Sequence, residues 1–188
     1  MHPERRVRLS RFLSLILRHR PDQVGLALDS LGRAPLDTLV EALRANGWED
    51  LAPGDIEEVA HLDGRRFALS DGMIRARYGH SLTLEHPGTP ARPPEWLYVA
   101  VADGEVGEVA ARGLRPAGRQ QVHLCQTPQE AVRILERHQE RGQVVTIFAR
   151  RAHDGGLPFY QATDRLYLAP QVPSAFLALP SPAAMGAR

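Results

Sequence analysis

The sequence predicts an α+β protein of two lobes joined by a short linker. Three observations carry this expectation. Apolar residues recur at helical spacing through the first sixty positions, and two alternating stretches then flank an Asp-Gly pair. A proline-rich run, "EHPGTPARPPE" at 85–95, interrupts the chain. Beyond it, many short apolar runs surround one longer amphipathic stretch, the pattern of a sheet with few helices.

The elements follow in order. Leu9, Phe12, Leu13, Ile16 and Leu17 mark a first helix that runs into Arg18, His19 and Arg20 before Pro21 stops it. Leu36, Leu39, Val40 and Leu43 mark a second, with Pro35 in its first turn and Gly47 at its C′ position. A short third helix is expected from Asp55 to Leu62. "RRFAL" and "MIRARY" around "SDG" read as a hairpin, because Asp-Gly suits a two-residue turn with positive φ. Three helices followed by a hairpin predict a winged-helix lobe over residues 1–84. The 85–95 run, with four prolines and a glycine, is expected as a linker, too rigid and polar for an element.

The second lobe is expected over 96–180, with 181–188 as a tail. "WLYVAV" is a strand, "EVGEVAARG" a short helix closed by Gly113, and "QVHLC" a strand. "TPQEAVRILERHQERG" carries a capping box in Thr127 and Glu130, Pro128 in the first turn, and Gly142 at its end. "VVTIFA", "PFYQ" and "RLYLA" complete the strands.

Composition removes several functional classes. No run reaches the length of a membrane span. The basic-then-apolar N-terminus is broken by Arg11 and Ser14 and has no small-residue cleavage site after it, so it is expected as a helix of a cytoplasmic protein rather than a signal peptide. The single Cys125 excludes an internal disulfide. A net charge of +1 gives no global polybasic surface, so any contact with nucleic acid must come from local patches. All 23 basic residues are arginine, which removes Schiff-base and P-loop lysine chemistry. The eight histidines show no metal-ligand spacing, and neither a GxGxxG nor a nucleophile-elbow motif is present.

Arginine and histidine at element ends remain. Arg18, His19 and Arg20 end the first helix; Arg65 and Arg66 open the hairpin; Arg75, Arg77 and His80 lie on or after its second strand; Arg115, Arg119 and His123 surround "QVHLC". Singly, such residues belong to solvated faces. Together they suit a phosphate, because guanidinium forks pair bidentately with phosphate oxygens. Arg20 is assigned to the ordinary solvated helix end.

At these residues the chain resembles the RNA (tRNA) 2′-phosphotransferase family. "LSRFLSLILRHRPDQVGLALDSLGRAPLDTLVEAL" is similar to its opening, "RRFALSDGMIRARYGHSL" to its hairpin motif, "GLRPAGRQQVHLC" to its Gly-Leu, Arg and Val-His-Leu segment, and "PFYQATDRLYLAPQVPSAFL" to its terminus. The resemblance runs in order from Leu9 to Leu177. It implies a C-terminal lobe like ADP-ribosyltransferases that binds NAD as co-substrate, without a metal. It also implies removal of an internal 2′-phosphate left at an RNA splice junction, tRNA included, by a monomer. In the family's first step the RNA 2′-phosphate attacks the nicotinamide ribose C1″ and expels nicotinamide. In the second, the ribose 2″-OH attacks that phosphate, giving 2′-OH RNA and ADP-ribose 1″,2″-cyclic phosphate. The resemblance assigns Arg18, His19, Arg66 and Arg119 to catalysis, with His19 a phosphate ligand and proton donor to the departing 2′-oxygen. It assigns Arg65, Arg75 and His80 to RNA, and Tyr98 and His123 to NAD.

This chain departs from the pattern where the family reads Leu-Tyr-His-Gly-Thr. Here Leu97 and Tyr98 are followed by Val99, Ala100 and Val101. Gly64 stands where a lysine is common, and Cys125 where serine is usual. The departure at 99–101 keeps a second reading open: ADP-ribosylation of a terminal nucleic-acid phosphate, or binding of phosphorylated RNA alone. A third, a winged-helix DNA-binding regulator, explains the first lobe and leaves "GRQQVHLC" unexplained.

Overall fold

The computed structural model describes residues 1–62, 64–85 and 87–180. The expected tail, 181–188, and His86 of the expected linker lie outside these. Contacts divide the chain into two compact units, Met1–Pro87 and Gly88 onward. Each combines helices with antiparallel strands, an α+β architecture.

In the first unit, α1 (Pro3–Arg18) buries Leu9, Leu13, Ile16 and Leu17, the stripe its spacing predicts. It ends at Arg18, and the chain passes through a tight turn at Pro21–Val24 closed by Gly25, whose φ of 66° suits glycine. β1 (Arg33–Pro35) leads directly into α2 (Leu36–Arg44), so Pro35 is the N-cap rather than a first-turn residue. Gly47, with φ 90°, lies one position beyond the C′ site, because α2 stops at Arg44 with Ala45 as cap. α3 spans Pro53–Leu62. β2 (Phe67–Ser70) and β3 (Met73–Ala76) form the expected hairpin. Asp71 and Gly72 have φ of 52° and 71°, the double positive φ of a type I′ turn. β1 adds to the far edge of β3, giving the order β1-β3-β2. Ala34, Ile74 and Ala76 turn one face of this sheet into a core shared with Leu13, Ile56 and Phe67.

The second unit holds a seven-stranded antiparallel sheet. Its strands are β4 (Thr89–Pro90), β5 (Leu97–Ala102), β6 (Val122–Cys125), β7 (Gly142–Ile147), β8 (Tyr160–Thr163), β9 (Leu166–Ala169) and β10 (Leu177–Ala178). Their order is β10-β7-β5-β6-β9-β8-β4. Thr89–Pro90, inside the expected linker, is thus an edge strand paired with Tyr160–Gln161; proline is tolerated there because an outer edge needs no N–H. α4 (Val106–Arg112) ends at Gly113 as expected. α5 (Pro128–His138) starts with the Thr127 hydroxyl accepting from the Glu130 N–H, while the Glu130 carboxylate pairs with Arg165. α5 ends earlier than the sequence suggests, with Gln139 in the left-handed conformation.

Gly142 does not close α5; it begins β7. A Cβ there would lie 2.4 Å from the Val101 carbonyl oxygen, so close strand approach is what requires glycine. α6 (Ala149–Asp154) was not expected from the sequence. Leu97, Leu124, Ile147 and Phe159 anchor this unit's core. Among the described residues no helix is long and apolar enough to cross a membrane.

Candidate functional site

In the first unit the end of α1 meets the segment after β3. The Arg18 guanidinium lies 5.0 Å from the centroid of the Tyr78 ring, a cation–π contact. Gly79, with φ 84°, turns the chain beside it: a Cβ there would be in ordinary contact with Arg18 Nη1, 3.6 Å away, so the backbone angle and not space favours glycine. Ser81 ties down both neighbours: its N–H donates to the Arg18 carbonyl at 3.0 Å, and its Oγ lies 3.0 Å from His19 Nδ1. The hydroxyl also donates to the Arg18 carbonyl at 3.5 Å. With its proton directed there, Oγ accepts from His19 Nδ1–H. Tyr78 and Ser81 stand outside the expected set of residues; the only sequence signal was their place in "RYGHS". Arg20 is exposed and pairs with Asp22.

His80 is 6% exposed, and its Nε2 has no hydrogen-bond partner among the described residues. Burial, then the positive charges of Arg18, Arg75 and His19, push its pKa down to about 4. The sign of the linked stability follows. The fold favours neutral His80, so the unfolded chain binds the extra proton as pH falls below about 6.5. Acidification from pH 7 to 4.5 is therefore expected to cost the first unit about 2–3 kcal/mol. Urea unfolding followed by Trp48 fluorescence, in a Trp96→Phe background, measures this. A His80→Gln variant showing the same pH dependence would assign the loss elsewhere.

Arg75 sits on β3, half-buried, its pKa lowered by burial and by the neighbouring Arg77 and Arg33. Arg65 and Arg66 lie exposed in the turn before β2. Arg66 Nη1 donates to Ser10 Oγ at 3.4 Å. Ser10 is two helical turns before Arg18 on the same face of α1, about 12 Å along the axis. The first unit thus gathers Arg18, His19, Arg75 and His80 closely and carries Arg66 farther along the same helix.

The second unit contains a cavity of about 390 Å³ with a simple structural origin. β5 and β6 pair at one position, Tyr98 with Cys125, and then part. The cavity fills the fork. Val99, Ala100 and Val101 line it from β5, and Arg119 and His123 from the β6 side, while Glu108 of α4 closes it. Tyr98, at the pinch of the fork, is not among the lining residues. Arg119 Nη1 bonds His123 Nδ1. A guanidinium can only donate, so this bond fixes the neutral His123 tautomer with its proton on Nε2. Cys125 is buried; burial, then Glu130, pushes its thiol up to about 11, which keeps it protonated and unreactive. Among the described residues no group of three or more His, Cys, Asp or Glu is placed to hold a metal ion.

Comparison with known proteins covers nearly the whole chain. The profile of the RNA 2′-phosphotransferase, Tpt1 / KptA family matches residues 4–171. A probable RNA 2′-phosphotransferase of Lacticaseibacillus paracasei is 36% identical over 179 residues, covering 94% of this chain and 95% of its own. One from Streptomyces coelicolor is 35% identical over 186 residues, with 97% and 100% covered. One from Hyperthermus butylicus is 34% identical over 185 residues, with 92% and 79% covered.

Proposed function

Because the chain belongs to the RNA 2′-phosphotransferase family, we propose that it removes a 2′-phosphate from RNA by transferring it to NAD. The first unit serves as a winged-helix lobe that binds RNA, and the second as an ADP-ribosyltransferase-like lobe that binds NAD. The observation that carries the reading is the joint anchoring of Arg18 and His19 by Tyr78 and Ser81. It supplies a guanidinium and an oriented imidazole at one place, which is what a phosphoryl group undergoing displacement requires.

The attacking group is already an anion, so the protein needs no nucleophile of its own. Arg18 and Arg66 bind phosphoryl oxygens, and Arg119 keeps its expected part in that binding. His19 protonates the departing 2′-oxygen through Nε2. Arg65 and Arg75 face RNA; the expected contact of His80 with RNA is not direct, because the neutral ring is buried behind them. The fork cavity fits part of a dinucleotide: Arg112 and Arg115 suit a pyrophosphate, and the His123 Nε2–H suits a ribose oxygen. Tyr98 keeps only an indirect part, at the pinch of the fork.

Incubation with a 2′-phosphorylated oligonucleotide and NAD is expected to release nicotinamide, 2′-OH RNA and ADP-ribose 1″,2″-cyclic phosphate. Failure to release any of these, with NAD and phosphorylated RNA both in excess, overturns the proposal.

One observation favours a second reading. Val99 and Val101 stand where the family resemblance gives a polar His and Thr, and Ala100 where it gives Gly, inside the fork itself. An enzyme with an altered NAD site could stop at an ADP-ribosylated nucleic-acid phosphate, and a trapped adduct would identify it. The triple replacement Val99→His, Ala100→Gly and Val101→Thr is expected to lower KM for NAD about tenfold, the worth of one good hydrogen bond. An unchanged KM would mean that this strand does not touch the co-substrate. The regulator reading accounts for the first unit alone, whereas the family match extends to residue 171.

A further inference from the structure

The three-stranded sheet of the first unit has a second face, of which the phosphate site uses only Arg75. Arg33 on β1 pairs directly opposite Arg75 on β3, so the two side chains project from the same side. Arg77 follows two residues after Arg75 and projects the same way, its N–H extending the ladder to the Arg66 carbonyl. The opposite face, Ala34, Ile74 and Ala76, is in the core. Like charges directly opposite one another destabilise a sheet. Here three arginines share one face, and the central one is half-buried.

The local counter-charge is limited. Asp29 accepts Arg33 Nε at 2.7 Å and also two main-chain N–H groups, of Leu31 and Arg33. Burial raises its pKa, but those bonds outweigh that and leave it lowered, so it is an anion already committed to its turn. Glu85 is bonded to Ser30. Arg77 Nε donates to the Phe67 carbonyl, which holds the guanidinium across the hairpin. Among the described residues the arrangement is a fixed positive face with too little negative charge of its own.

This face is continuous with the Arg18–His19 cluster. The buried His80 ring links them: a Cβ on Gly32, next to Arg33, would lie 3.5 Å from His80 Nε2, and one on Gly79, next to His80, would lie 3.6 Å from Arg18 Nη1. We propose that Arg33 and Arg77 form, with Arg75 between them, a binding site for the backbone phosphates of RNA nucleotides flanking the 2′-phosphorylated one. The spacing of Arg75 and Arg77 along the strand, about 6.6 Å, is on the scale of successive backbone phosphates. This rests on the proposed activity for its substrate, but its own content is that RNA length matters through these side chains.

The test compares a 2′-phosphorylated dinucleotide with the same 2′-phosphate inside a single-stranded decanucleotide. For the wild type, KM for the long substrate should be lower. Arg33→Gln and Arg77→Gln should each raise KM for the long substrate about fivefold, and the slope of log KM against log salt should shrink by about 0.7 per lost phosphate contact. The ratio of long to short KM is the readout, so a general loss of folding cannot imitate the result. A ratio unchanged in both variants overturns the proposal. So does a rise confined to KM for NAD, which would assign the face to the dinucleotide. Anisotropy with an unphosphorylated, labelled decanucleotide and no NAD separates this from failure of the proposed activity. Weaker binding by Arg33→Gln sustains the site even if no turnover occurs, and equal binding removes it.

Discussion

Replacing Arg18 by alanine is expected to lower kcat on a 2′-phosphorylated RNA by about 10²–10³-fold, the effect of deleting one preorganised donor at a centre of developing charge. The same loss is expected for His19→Ala and Arg119→Ala. Arg18→Lys should recover only part, because an ammonium keeps the charge but not the planar two-point geometry. In the proposed second step charge is most crowded as the ribose 2″-OH attacks the phosphate, so an Arg18 variant should accumulate ADP-ribosylated RNA that the wild type does not. Single-turnover assays with radiolabelled phosphate distinguish the two steps. If all three alanine variants stay within threefold of wild type, phosphate binding by these residues is wrong. Thermal unfolding controls for the lost contact with Tyr78, which is worth about 1–2 kcal/mol between two half-buried side chains.

Replacing Gly113 by alanine is expected to destabilise the second unit by at least about 3 kcal/mol, at the severe end for a single substitution. Gly113 caps α4 at φ 77° and ψ −174°, a region essentially reserved for glycine that costs any other residue about 1–3 kcal/mol. The larger part is steric. A Cβ would meet the Val172 carbonyl oxygen at 2.3 Å and the Ser174 nitrogen at 2.8 Å, both main-chain atoms that cannot swing aside. Val172 and Leu114 exchange two main-chain hydrogen bonds, which would have to stretch to admit a methyl group. Gly25→Ala provides the contrast: φ is 66° there, but nothing lies within 4 Å of the added atom, so about 1 kcal/mol is expected. Urea denaturation of the two variants measures both terms. Equal losses would show that the crowding at Gly113 is relieved by a small shift. Gly113 also lines the fork cavity, so its variant should bind NAD less well even where it folds.

What the sequence made legible depended on how local the cause was. The hairpin was readable because Asp71 and Gly72 carry their turn type in two residues. α5 was readable because Thr127 and Glu130 sit three apart. β1 and β10, three and two residues long, exist only because β3 and β7 lie beside them, and no periodicity fits into so few positions. α6 is six residues long and has no side-chain cap to announce it. The Gly142 error has the same root: a glycine was visible, but its reason is the Val101 backbone forty residues earlier. In the candidate site, Arg18 and His19 were identifiable from their motif. Ser81, which orients His19, was not, because a serine in a loop has many uses. The fork that joins Val99–Val101 to Arg119 and His123 was equally hidden, since it arises from two strands that fail to stay paired.

The hydrogen bond between His19 and Ser81 has one more consequence, for timing. It joins residues 62 positions apart, and the contact that supports it, Arg18 with Tyr78, spans nearly as far. Contacts this distant along the chain form late, after helices and hairpins that need only their neighbours. A growing polypeptide therefore carries Arg18 and His19 as loose cations at a helix end until Ser81 has been synthesised and has docked. The orientation of Arg18 and His19 thus marks a completed fold, and truncation before Ser81 leaves a chain that keeps the charges but cannot orient them.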